Sequence, residues 1–144
     1  MSGYVCVDAS VAAKWVLDES LSDTAADLYH ESQAADVVLV GPPHMNTEVA
    51  NAIWRRAARG EFDQVEAERL MQAFLGFVVE IVSLRGLHLA AMKVAGLFNR
   101  PAIYDAHYVA LARMLDCDLW TADKRLLNAL NGRLPFVKSL ADYQ

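Results

Sequence analysis

Glycine and positive charge are both scarce in this sequence, and each scarcity bears on function. The seven glycines among 144 residues are all isolated, so there is no glycine-rich loop to cradle nucleotide phosphates. Thirteen Lys and Arg stand against eighteen Asp and Glu, a net charge of -5. The balance alone argues weakly against nucleic acid as a ligand, but basic residues cluster at Arg55, Arg56 and Arg59 and at Lys124 and Arg125, where they can line a rim. The only cysteines, Cys6 and Cys117, sit in no paired motif, and the four histidines are scattered. Zinc-site spacing is absent. Cys6 lies in an apolar run and reads as a small buried hydrophobe, which suits a reduced, cytoplasmic setting. No apolar run approaches the ~18 residues of a membrane helix. Met1 to Ser10 lacks the basic flank and apolar core of a signal peptide.

What the chain does have is apolar mass, 55% of its residues. Either a small α/β protein has a large core, or a partner or second copy covers part of the surface. The length suits one domain, residues 1–144. Apolar runs predict strands at Tyr4–Asp8, Val37–Val40, Val79–Leu84 and Asp118–Thr121, with a brief fifth at Phe136–Val137. Helical spacing covers Ala9–Leu17, Ser22–Ala35, His44–Arg59, Asp63–Val78, Gly86–Phe98, Tyr104–Leu115 and Lys124–Leu130, with Gly60 capping the third. Strands alternating with helices imply a parallel sheet covered on both faces. Sites in such sheets form at the carboxyl ends of the strands.

Four acids draw attention there. Asp8 closes the first strand, Asp123 follows the fourth, and each also suits a helix N-cap. Glu48 borders the apolar stripe of its helix, where it is either a site residue or a rim acid paired with a base. Asp105 opens a helix that is apolar nearly all round, so it is expected to point inward, as a site residue or a cap. Carboxylates gathered at one sheet end repel; two charges ~4 Å apart cost roughly 4 kcal/mol at an effective dielectric near 20. Either some are protonated or a hard cation, Mg²⁺ or Mn²⁺, sits among them. On this view Asp105→Asn relieves repulsion and does not lower the metal-free melting temperature. Ser10 and Thr121 can hydrogen-bond the carboxylates, and Arg55 and Arg59 extend a basic track from Glu48. Ser10 has no base partner, so nucleophilic serine catalysis is not expected.

Four segments together resemble the PIN-domain family, specifically its VapC-type toxins. They are Val7–Val11 with Lys14, Trp15 and Glu19; Glu48–Ala52 with Arg55 and Gly60; Tyr104–Ala112; and Thr121–Leu126. The resemblance spans nearly the whole chain. It implies a three-layer α/β/α sandwich around a parallel sheet of four to five strands, ordered 3-2-1-4-5. It also implies a divalent-metal site with Asp8 and Asp105 as direct ligands. Glu48 and Asp123 would bind directly or through water. RNA cleavage, a homodimer and a cognate antitoxin that covers the site complete the implied picture. The chain departs from the pattern at His44–Thr47, where an apolar stretch is commoner.

Rival functions are a phosphotransfer domain and a non-catalytic binding module. A receiver needs an adjacent acidic pair near the first strand, and a haloacid-dehalogenase-like phosphatase needs an acid two residues past its nucleophile. Positions 9 and 10 are Ala and Ser. Finally, Ala50, Trp54, Ala57 and Ala58 form a second apolar patch on their helix, expected to pack against Asp63–Val78 or to form an interface.

Overall fold

The computed structural model describes residues 3–144. Residues 1 and 2 of the expected domain, and of the segment tested for a signal peptide, lie outside the described residues. The strands are β1 (Tyr4–Val7), β2 (Val38–Gly41), β3 (Glu80–Ile81), β4 (Leu119–Thr121) and β5 (Val137–Ser139). They form one parallel sheet in the order β3-β2-β1-β4-β5, as expected. The helices are α1 (Ala9–Ala12, continued by a 3₁₀ turn Ala13–Trp15), α2 (Ser22–Ala34), α3 (Met45–Ala58) and α4 (Gln64–Leu75). α5 (Leu87–Leu97), α6 (Tyr104–Met114) and α7 (Lys124–Leu130) follow.

Successive strand residues point to opposite faces of a sheet. Cys6 and Val7 on β1, and Leu39 and Val40 on β2, are all buried, so both faces of the central strands are covered. That is the physical content of the three-layer arrangement. β1 becomes more buried toward its carboxyl end, from the exposed Tyr4 to Val7. α6 packs on β1 and β4, with α5 against it. Its residues Ala106 to Ala112 are buried without interruption, as its all-round apolar sequence requires.

Three local differences from the sequence reading have plain causes. α4 stops at Leu75, because Gly76 ends it. β3 is two residues long where six were expected, since it lies at the sheet edge and pairs only with Val40 and Gly41. β5 begins one residue later than expected and extends to Ser139. The predicted end of α3 is observed: Gly60 has φ +83°, its N–H bonds Ala57 O, and the Glu61 N–H reaches Arg56 O at 3.0 Å. This is a Schellman turn. α3 does pack against α4; of the second apolar patch Ala57 packs against the core and Ala50 is half-buried, while Trp54 remains 51% exposed, so intramolecular packing covers part of it. Among the described residues no helix is long and apolar enough to cross a membrane.

Candidate metal centre

Asp8 begins the site. β1 and β4 run side by side, and the Asp8 N–H donates to Trp120 O at 3.3 Å. The two strand ends thus deliver Asp8 and Thr121 to the same rim. The Asp8 carboxylate is 5% exposed. Its Oδ1 accepts from Ser10 Oγ at 2.5 Å and from the Val11 N–H at 3.2 Å. Its Oδ2 accepts from the Thr121 hydroxyl. Thr121 Oγ1 also accepts from the Asp123 N–H at 3.0 Å, and Ser10 Oγ from the Ala122 N–H at 2.9 Å. The two hydroxyls therefore lace the β1 and β4 termini together around one carboxylate. Burial pushes the Asp8 pKa up from 3.8 to about 6, the nearby Asp123 charge adding to the rise and the hydroxyl and Val11 hydrogen bonds opposing it.

The capping roles considered for Asp8 and Asp123 are real. Asp8 caps α1 through Val11, and Asp123 Oδ1 caps α7 through the Arg125 N–H at 2.9 Å and the Leu126 N–H at 3.4 Å. For Asp8 the cap uses one lobe of a carboxylate that is also buried against a second strand, so cap and site coincide.

Glu48 stands on the first turn of α3, half-buried. Tyr108 Oη on α6 donates to its Oε1 at 2.6 Å. His44 Nε2 is 3.2 Å from the same oxygen and 3.0 Å from Tyr104 O. A carbonyl only accepts, so that ring nitrogen carries the proton. Burial disfavours the Glu48 charge, but the His44 and Tyr108 hydrogen bonds outweigh it and hold the carboxyl below the usual range. The same His44 ring lies edge-on to His107 and Tyr108, and His107 meets His88 at 2.8 Å. His107 thus meets α5 through His88 and, behind His44, also favours the charged form of Glu48.

Asp105 is not a cap; Ile103 occupies the N-cap of α6. Its carboxylate turns to Arg100, whose Nε and Nη2 both donate to Oδ2, at 3.0 and 2.8 Å. The other oxygen, Oδ1, is buried and has no hydrogen-bond partner.

The acids thus share the carboxyl end of the sheet in two groups. One is Asp8 with Ser10, Thr121 and Asp123; the other is Glu48 with Tyr108, one helical turn past Asp105. Tyr108 bonds only the second group; burial, then Glu48 and then the Asp8 charge, disfavour ionising its hydroxyl. Among the described residues no three His, Cys, Asp or Glu side chains converge closely enough to hold an ion. The close gathering expected from the sequence is therefore not found in this arrangement, where each carboxylate is turned to donors of its own. The donor chemistry nonetheless fits a hard divalent cation. The set is all oxygen, and Asp105 Oδ1 is an acceptor buried without a donor, which a protein rarely leaves so.

Beside the acids lies a cleft of about 460 Å³ lined by Ser10, Lys14, Glu48, Arg55, Arg56 and Arg59, among others. The basic track expected from Arg55 and Arg59 borders Glu48 there. Glu61, brought back by the Schellman turn, pairs with Arg59 at 2.9 Å and Arg56 at 3.1 Å. Sequence reasoning missed Arg100, Tyr108 and the role of His44. Arg56, of the same basic cluster, also lines the cleft while held by Glu61, Glu19 and the Asp18 carbonyl. A second cleft, about 530 Å³, lies at the amino end of β2 around Gln33, Asp36 and Val37, far along the sheet from these acids.

A model of the PIN domain matches residues 5–130, and the chain belongs to that family. Its relatives place it among the VapC-type members. It is 30% identical over 125 residues to VapC ribonuclease Mb0985 of Mycobacterium bovis, across 79% of this chain and 91% of that protein. Ribonuclease VapC9 of Mycobacterium tuberculosis matches equally. Ribonuclease VapC3 of Pyrobaculum aerophilum is 30% identical over 122 residues, 83% of this chain and 89% of its own. The crystal structure of PAE2754 from Pyrobaculum aerophilum shares the fold, with a TM-score of 0.68 at 20% identity, covering 98% of this chain and 93% of that one.

Proposed function

We propose that this protein is a Mg²⁺- or Mn²⁺-dependent endoribonuclease, the toxin of a type II toxin–antitoxin module, working as one domain in the cytoplasm and silenced by a cognate antitoxin. The observation that carries the reading is the buried, partnerless Asp105 Oδ1 among four acids at the carboxyl end of a PIN-domain sheet. The names of the relatives support RNA as the substrate.

Asp8 and Asp105 would hold the cation, with Glu48 and Asp123 binding directly or through water. Held there, a divalent ion would supply Lewis acidity toward a phosphoryl oxygen and toward water at neutral pH. Ser10 and Thr121 fix the Asp8 carboxylate and exclude rotation. Glu48, kept ionised by His44 and Tyr108, or Asp123 would accept the proton of the attacking water. Arg55 and Arg59 line the adjoining cleft, where they would contact the RNA backbone. Hydrolysis by water leaves a 5′-phosphate and a 3′-hydroxyl, with no cyclic phosphate.

A homodimer is part of this reading. Leu89, Met92 and Leu97 project from α5 with most of their surface exposed, at 67%, 56% and 65%, and are available to a second copy. Light scattering after size exclusion tests it. The activity test incubates RNA with the protein and Mg²⁺ or Mn²⁺, with and without a chelator. Metal-dependent cleavage to 5′-phosphate ends is expected. RNA binding with no metal-dependent product, from pure folded protein, points instead to a non-catalytic binding module.

A further inference from the structure

Arg100 occupies a position the fold has fixed with care. α5 ends at Leu97, Asn99 turns left-handed at φ 51°, and the Arg100 N–H returns to Ala95 O at 2.9 Å. Pro101 follows at once and prevents the helix from continuing. The side chain is 16% exposed and leans on Asp105, itself 20% exposed. Arginine–carboxylate pairs frequently engage both oxygens in a fork. Here Nε and Nη2 share Oδ2, while Oδ1 stays buried and bare. The guanidinium neutralises the acid and leaves its inward oxygen unused. Glu48, Asp8 and Asp123 have no comparable cationic partner from Arg or Lys among the ion pairs of the described residues.

We propose that Arg100 is a resident counter-ion which, from Oδ2 of Asp105, opposes the divalent ion that the bare Oδ1 would take, so that its charge weakens metal binding at this acid. The inference rests on the metal-dependent reading above and assigns that site its regulation. A single positive charge at Asp105 offsets one acid charge at that end of the sheet. The same charge lies one carboxylate oxygen from the incoming ion and repels it, so binding at Oδ1 works against a fixed positive neighbour. Arg100 is therefore a positioning residue that sets the metal threshold of the enzyme.

The test measures Mn²⁺ binding to RNA-free protein by isothermal titration calorimetry, in wild type, Arg100→Met and Arg100→Lys. Removing the opposing charge tightens Mn²⁺ binding in Arg100→Met by roughly tenfold, within the usual range of site coupling. Arg100→Lys keeps the charge and stays near wild type. In parallel, Mg²⁺ added to wild type shifts the arginine Nε–H NMR signal that is missing from the Arg100→Lys spectrum. Unchanged or weaker Mn²⁺ binding in a folded Arg100→Met protein, or an Arg100 signal blind to Mg²⁺, overturns the proposal and leaves a structural ion pair. If wild type binds no Mn²⁺ yet cleaves RNA, the metal-dependent reading itself fails, and the inference falls with it.

Discussion

Asp8→Asn in metal-free protein has a stability effect whose sign and pH range the structure fixes. The Asp8 pKa stands near 6 in the folded state against 3.8 for the ordinary carboxyl. Each pKa unit is about 1.4 kcal/mol, so ionising Asp8 in the fold costs about 3 kcal/mol more than in the unfolded chain. A raised pKa means that the folded state binds the proton more tightly. The stability is therefore complete below pH 3.8 and falls as pH rises through 6. Above that range wild type bears the whole cost, and an uncharged side chain bears none. Asn keeps an oxygen for the Val11 cap, and Asn is as good an N-cap as Asp. Asp8→Asn should therefore be the more stable protein at pH 7.5 in EDTA, by up to about 3 kcal/mol. For a domain of this size that corresponds to roughly 6–12 °C in Tm. The gap should close toward pH 4.5. Scanning calorimetry of both proteins across pH 4.5 to 8 measures it. A difference that does not vary with pH, or a variant less stable at pH 7.5, refutes the argument that burial sets the Asp8 proton affinity.

Asp105→Asn should lower metal-free stability by about 2–3 kcal/mol in urea unfolding, because it leaves Arg100 partly buried without its counter-charge. This reverses the expectation drawn from repulsion among the acids alone. Tyr108→Phe removes one donor to Glu48 and should cost about 1–2 kcal/mol. It also lets the Glu48 pKa rise, so the acid limb of the RNase pH profile should move to higher pH. Arg55→Ala combined with Arg59→Ala should weaken RNA binding and flatten its dependence on log salt by about 0.7 per lost contact, measured by filter binding with chelator present. Both side chains are exposed, so unfolding free energy should change by less than about 0.5 kcal/mol each.

The parts of this protein that could be read from its sequence are those set by near neighbours along the chain. Asp8 and Asp123 each follow a short β run and precede a helix, so strand end, cap and site candidacy are written in adjacent residues. Gly60 marked the end of α3 for the same reason. What failed to show was contact across the fold. Arg100 sits in a loop on no helix face, and only the topology brings it onto Asp105. Tyr108 and His44 read as an apolar-helix aromatic and a break in a familiar stretch. Their hold on Glu48 spans sixty residues for Tyr108. Asn99 ahead of Pro101 was a legible helix stop, and it would have pointed to Arg100 as a fixed side chain. The length of β3 was misjudged because an apolar run at a sheet edge looks like one at its centre until its partner is known.

Two of the acids also start helices, and this governs how their loss should be interpreted. Alanine at position 8 or 123 would strip a backbone amide of its acceptor at the same moment that it removes a charge. An inactive alanine variant would then confound a frayed α1 or α7 with missing chemistry. Asparagine separates the two, and so does natural drift: a lineage that abandons cleavage while keeping the scaffold has reason to retain Asp, Asn or Ser at these two places long after the other acids have gone.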